Sequence, residues 1–379
     1  MALADRIARA ALAEFDRCPK KTKPGIRSDG VAEWTNLAAV VVLDGDDAAP
    51  RITCAALATG LKVLPDAQLP DAAGLLLHDC HAEILAIRGF NRFLLDECAA
   101  AAAAGSAFVD LDPAAGRFRL RPCRLVLFQT EIACGDASMA RLSDGQQPWD
   151  EANMAADGPL QGRGYFSQVG VVRTKPGRPD APRTLSKSCT DKLTVRQHVS
   201  LLLTPLAGLV VPDNVYLAAV VVPRSQYDPE SFGRAFGRAA AAAAAGPYRR
   251  RPFAFWTYDD AAAPFPYARA AVAARSAAAP KTSNVSLVRA GAATEAVIKG
   301  VKMGARPRHP KGASAVSRHW LFVDAVRLDR LLAARFGRPP APTRYYAAKA
   351  ADADRVAAKA AVHAALGSWT RTAVDDFAV

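Results

Sequence analysis

The chain opens on a helix candidate, Ala4 to Phe15, followed by a basic loop punctuated by proline and glycine from Lys20 to Gly25. Leu37 to Leu43 is an apolar, β-branched run of strand length, stopped by the acidic turn Asp44-Gly45-Asp46-Asp47. Ile52 to Thr59 gives a second strand. The strongest helix runs from His81 to Ala104: Ile84, Ile87, Phe90 and Leu94 recur at three- and four-residue steps, the period of one helical face. Arg124 to Ile132 reads as a buried strand that runs straight into Ala133-Cys134-Gly135-Asp136, with a helix starting just past the cysteine. A further helix, Thr190 to Leu203, again begins beside a cysteine, and Val215 to Val222 is another strand. Strands alternating with helices predict an α/β layer fold.

Two alanine-rich stretches, near 99–105 and 238–280, have the look of low-complexity insertions. From Lys299 onward the chain turns basic and ends in a helical, lysine-bearing segment, Tyr345 to Leu366. No linker divides the 379 residues, so a single elaborated domain over 1–379 is expected.

Composition sharpens the partner. Half the residues are hydrophobic (51%) and 22% are charged, as in a soluble protein with a sizeable core. The formal charge of +13 favours a polyanion, nucleic acid first, because neutralising phosphates releases counterions. No run is long enough for a membrane span and no basic amphipathic helix stands out, so no membrane partner is expected. Seven sparsely spaced cysteines and no secretory leader point to a reducing compartment, cytoplasmic or nuclear.

His81-Ala82-Glu83 at a helix start is the most informative triplet. A nucleobase deaminase needs a water made nucleophilic by zinc. It also needs a carboxylate, not itself a ligand, to take the water's proton and pass it to the leaving amine. His81, Cys134 and Cys189 make a three-ligand set that keeps the fourth zinc position open. Positions two apart on a regular helix point in roughly opposite directions, so His81 and Glu83 meet one metal only if the helix begins there. Both cysteines fall where a strand or loop feeds a helix, which favours the thiolate. On spacing alone, a catalytic zinc site and a buried histidine with free cysteines remain equally open.

Three longer strings carry a resemblance: Asp79-Cys80-His81-Ala82-Glu83-Ile84, Ala133-Cys134-Gly135-Asp136-Ala137-Ser138 and Ser188-Cys189-Thr190-Asp191-Lys192-Leu193. In order, they resemble the zinc-site motifs of the adenosine deaminases acting on RNA. Pro19 to Pro24, Glu33-Trp34-Thr35 and Val172 to Arg178 make the chain most similar to the tRNA-specific adenosine deaminases of eukaryotes. The resemblance implies a three-layer cytidine-deaminase-like α/β core, a mixed sheet flanked by helices, with a large C-terminal extension. It implies hydrolytic deamination of adenosine to inosine in tRNA, at position 37 next to the anticodon of tRNA-Ala. Glu83 is then the general acid/base, with zinc on His81, Cys134 and Cys189.

The same resemblance implies a buried inositol hexakisphosphate, held by Arg88, Lys192, Arg318, Tyr345, Lys349, Lys359 and Trp369, and a relay to the zinc through Asp79, Lys175, Ser186 and Lys192. A cluster of buried cations needs such a polyanion. Ile87 and Arg355 stand where the family has an arginine and a tyrosine on that ligand, Leu61 where it has a threonine near the target ribose, and Ala133 where it has a proline. Lys62, Arg173 and Arg178 are candidate phosphate contacts for the RNA, and no obligate protein partner is implied. His78, His198, His309, His319 and His363 read as structural. The rival readings are a deaminase of another RNA, and a catalytically silent RNA-binding protein with structural zinc or inositol phosphate.

Overall fold

The computed structural model describes residues 1–70, 72–142, 160–162, 164, 167–175, 181–182, 184–367, 369–371 and 375–379. Its centre is an eight-stranded mixed sheet in the order Ala254–Tyr258, Leu217–Pro223, Arg124–Gln129, Leu37–Asp44, Arg51–Thr59, Ser286–Ala290, Ala293–Ile298, Val301–Lys302. The first three are mutually parallel and the remaining pairings are antiparallel.

Period-two alternation decides how the layers form. Along Leu37–Asp44, Ala38, Val40 and Val42 face one core, and Leu37, Ala39, Val41 and Leu43 face the other. Helix α1, Leu3–Asp16, lays Ile7, Ala11 and Phe15 on the second face. Helix α2, Ala82–Ala103, lays Leu85, Ala86, Phe90 and Leu94 on the first, where helix α3, Cys189–Val199, adds Leu193. A strand buried on both faces is apolar throughout, which is why this run carried so clear a signal. The expected three-layer α/β architecture is therefore present, with the helices Arg318–Phe336, Tyr345–Ala351 and Ala353–Leu366 as its C-terminal extension. No helix among the described residues is long and apolar enough to cross a membrane.

Several boundaries differ from expectation, each for a local reason. The strand from Arg124 ends at Gln129 because the Thr130 hydroxyl takes over the pairing, accepting from the Leu37 N–H at 2.9 Å. Past Cys134 comes a 3-10 helix, Asp136–Leu142. Helix α3 stops at Val199 because Ser200 turns to a φ of 61°. The Tyr345–Leu366 segment breaks at Asp352, whose carboxylate caps the second helix by accepting from the Arg355 N–H and binds the Tyr248 hydroxyl. Of the alanine-rich stretches, 99–103 forms the end of α2, and 238–280 contains the sheet's edge strand Ala254–Tyr258.

Candidate active site

The strands Arg51–Thr59 and Arg124–Gln129 run the same way, and the chain leaving their carboxyl ends builds the site, as is usual in α/β folds. Just past the first, Leu61–Val63 pairs with Asp79–His81, placing Leu61 opposite His81. Gly60 makes this approach possible: at a φ of 150°, a Cβ there would lie 2.1 Å from the Cys80 carbonyl oxygen. His81 is extended (φ −66°, ψ 142°) and is the last residue before α2. The helix thus begins where the His-x-Glu geometry requires, and His81 and Glu83 serve one locus.

The Sγ atoms of Cys134 and Cys189 each lie 3.7 Å from His81 Nδ1, and the three ligand atoms are all within 4.8 Å of one another. Zinc bonds of about 2.0–2.3 Å in a tetrahedron separate an imidazole nitrogen from a thiolate by roughly 3.6 Å, so these residues fit a zinc ion. The cysteine segments are joined directly: the Thr190 N–H donates to the Cys134 carbonyl at 3.0 Å and the Cys189 N–H to Cys134 Sγ at 3.3 Å. Gly135 sits at the crossing with a φ of 112°, and a Cβ on it would meet Ser188 Cβ at 2.5 Å. Gly135→Ala is therefore expected to cost about 1–3 kcal/mol of stability and most of the bound metal, checked by thermal melting and by metal content.

Electrostatics separates Cys134 from the rest, Cys189 included, whose thiol is held well above its ordinary value by burial and the Cys134 sulfur. Burial pushes the thiols of Cys54 and Cys80 up to about 12. The Cys134 thiol is held well below its ordinary value by its contact with Cys189 and by Lys175 and His81, against burial. Glu83, 5% exposed in the first turn of α2, is shifted the opposite way: burial raises its carboxyl and the Cys134 sulfur adds to the effect. A carboxyl that accepts a proton so readily suits acid/base work.

Behind the cysteines runs a chain of polar contacts. Lys175 Nζ donates to Cys189 Sγ at 3.3 Å and to both oxygens of Asp79 at 2.9 and 2.7 Å. Asp79 also accepts from Ser186 Oγ at 3.2 Å and from Lys192, which in turn donates to Ser186 Oγ at 2.7 Å. Burial works against the Lys175 charge, but Asp79 and the two sulfurs outweigh it and hold this lysine above its ordinary range. Burial likewise opposes the Asp79 charge, and Lys175 and Lys192 outweigh it and keep the acid ionised. The four relay candidates are thus brought together.

Lys192 opens onto a cavity of about 310 Å³ lined by every residue expected at the polyanion: Arg88, Lys192, Arg318, Tyr345, Lys349, Lys359 and Trp369. Ile87 and Arg355 line it too, so the departure at Arg355 adds a cation. Sequence reasoning missed Lys187, Arg196 and His78 on this wall. The helical step was the available signal for one of them, since Arg196 follows Lys192 by four, as Lys359 follows Arg355. Eight lysines and arginines face two carboxylates, Asp66 and Asp79. Arg88 Nη2 and Arg355 Nε are buried without a protein partner among the described residues. Burial, then Arg355 and Arg196, push the Lys359 ammonium down to about 7, and burial, then Arg355 and Arg88, push Arg196 down to about 9. A multiply charged anion fits this wall.

The three RNA-contact candidates divide. Lys62 lies in the strand beside Asp79–His81 and donates to Thr282 Oγ1 at 2.7 Å. Arg173 is not a surface residue: it is fully buried, with its guanidinium donating to the carbonyls of Gly162, Gly164 and Gln168. It organises a loop instead of meeting phosphate. Arg178 lies outside the described residues.

A mixed sheet flanked by helices, carrying one histidine, two cysteines and a buried glutamate at its strand ends, defines the class as a hydrolytic nucleobase deaminase of the zinc-dependent kind. Residues 56–373 match the adenosine-deaminase (editase) domain, and the chain belongs to that family. It is 40% identical over 269 residues to tRNA-specific adenosine deaminase 1 of Schizosaccharomyces pombe, spanning 67% of this chain and 68% of that protein. It is 37% identical over 235 residues to the protein of that name from Saccharomyces cerevisiae, 58% of each chain. The Drosophila melanogaster protein of that name is 29% identical over 232 residues, 56% of this chain and 53% of its own length.

Proposed function

We propose that this chain deaminates adenosine to inosine in tRNA, at position 37 beside the anticodon of tRNA-Ala, with His81, Cys134 and Cys189 holding zinc and Glu83 moving the protons. The observation that carries the reading is one buried carboxylate, in the first turn of α2, beside a three-ligand set. The printed name of the relatives supplies the tRNA. Zinc, when bound, supplies an acidified water as the nucleophile. Glu83 takes the water's proton and returns it to the departing amine, so adenosine and water leave as inosine and ammonia. Burial keeps bulk water from competing for that proton. Lys175 fixes Cys189 from behind and balances its charge.

The same reading assigns the cationic cavity to inositol hexakisphosphate, supported by the excess of buried cations. It places the protein in the cytoplasm or nucleus, in keeping with seven free cysteines. Incubation of the purified protein with tRNA-Ala, the same tRNA carrying guanosine at position 37, long duplex RNA and free adenosine tests the substrate. Inosine is expected in the first alone. Equal conversion of the duplex would replace the tRNA reading with one of broader RNA editing.

A further inference from the structure

Each metal-facing cysteine is followed two residues later by a fully buried aspartate: Asp136 after Cys134, and Asp191 after Cys189. The two segments lie 55 positions apart in the chain, yet both aspartates turn to one guanidinium. Arg238, which ends the helix Pro229–Gly237, donates from Nη2 to Asp191 Oδ1, and its Nε lies 4.0 Å from Asp136 Oδ2. The Arg238 side chain is itself buried, and its Nε is held by the Ala235 carbonyl at 3.1 Å. Arg234, one helical turn earlier, approaches the same oxygen of Asp136 at 3.5 Å, so two cations balance the two acids.

The remaining carboxylate oxygens grip the surrounding backbone. Asp136 Oδ1 accepts from the Gly170 N–H at 2.7 Å. Asp191 Oδ2 accepts from the Arg173 N–H at 3.0 Å and from Ser188 Oγ at 2.6 Å. Arg173 begins the short strand that leads to Lys175.

We propose that Arg238 is a positioning residue for the metal, a clasp behind the site that holds the Cys134 and Cys189 segments at coordination spacing. The Thr190 N–H and hydroxyl, both donating to the Cys134 carbonyl at 3.0 Å, join the two segments at the cysteines themselves. The buried guanidinium supplies a second attachment: it hydrogen-bonds Asp191 and, with Arg234, holds Asp136 by charge alone, since Asp136 Oδ2 has no hydrogen-bond partner among the described residues. Lysine, a flexible point charge, does not reproduce that geometry.

The inference rests on the zinc reading above, and its test reads metal affinity, not turnover. Zinc affinity is measured by competition with a chromogenic chelator, beside the melting temperature, on wild type, Arg238→Gln, Arg238→Lys and Arg338→Gln. Loss of such a supporting contact weakens metal binding by about 10- to 100-fold, and that is the loss expected for Arg238→Gln, with Arg238→Lys between it and wild type. Arg338→Gln removes a comparable ion pair, with Asp329 at 2.6 Å on the helix Arg318–Phe336, and is expected to lower the melting temperature with zinc affinity unchanged. Wild-type zinc affinity in Arg238→Gln, or the same loss in Arg338→Gln, overturns the proposal. If Arg238→Gln yields no folded protein, wild-type affinity in Arg238→Lys does so. Wild type that takes up no zinc refutes the metal reading itself.

Discussion

Glu83→Gln is expected to keep its zinc and its fold while inosine formation falls by about a hundred- to ten-thousand-fold, the usual contribution of a positioned general acid/base. That is roughly 3–5 kcal/mol at the transition state. Glutamine has nearly the shape of glutamate, so the wall of the site stays filled, but it neither accepts nor returns a proton. Metal is retained because Glu83 is not one of the three converging ligand atoms. Melting is not expected to suffer either. Glu83 is buried and its carboxyl is raised by that burial, so the native state pays for its charge near neutral pH, and a neutral side chain removes the cost. The measurements are single-turnover inosine formation, metal content and thermal melting on one preparation. Turnover within a few-fold of wild type would take Glu83 out of the mechanism. Lost zinc would make it a ligand.

The second large effect belongs to the cationic cavity. Protein freed of polyanion is expected to gain about 2.7 kcal/mol when inositol hexakisphosphate reaches a hundred times its dissociation constant. The empty cavity should also respond to pH. In the native state, burial and its neighbouring cations bring Lys359 down to about 7, and the same lysine in the unfolded chain keeps its ordinary, higher value. Between those values the unfolded state binds more protons, so the stability of the empty protein rises with pH from about 7 towards 10. Lys349 and Arg196 are lowered by burial too and act in the same sense. Bound polyanion keeps these groups charged and cancels the slope. Melting curves at pH 7 and 9, with and without the ligand, for wild type and Lys359→Met, test both parts. No ligand effect at either pH would remove the polyanion from this cavity, and a Lys359→Met protein with the wild-type slope would take Lys359 out of the pH response.

What could be read from sequence followed the range of the forces involved. Leu37–Asp44 and α2 announced themselves because their burial is written in consecutive residues, through period two or the helical step. The convergence of His81, Cys134 and Cys189 was legible only through the resemblance carried by three short strings, since their spacing alone leaves a free buried histidine and cysteines equally open. Arg173 was misplaced because a basic run looks alike in water and in a core, and only the carbonyls of Gly162, Gly164 and Gln168 show which it is. Arg196 and Lys187 were missed because their common destination is made by the meeting of distant segments. The break at Asp352 escaped notice for a similar reason: its capping bond is local, but the Tyr248 hydroxyl that shares the carboxylate comes from 104 positions away.

The walls of the basic cavity come from α2, α3, the helices after Arg318 and the stretch around Trp369. Synthesis therefore delivers the parts in a fixed order. The three side chains at the metal site exist once Cys189 has been made, whereas Arg196 waits for almost half the protein to be translated before its enclosure closes, and Arg88 for about three-quarters of it. During that interval, at about 5–20 residues per second, a nascent molecule displays cationic surface that the finished one hides. On the polyanion reading proposed above, supply of that compact anion inside the cell is expected to bear on how many chains mature, before any of them meets a substrate.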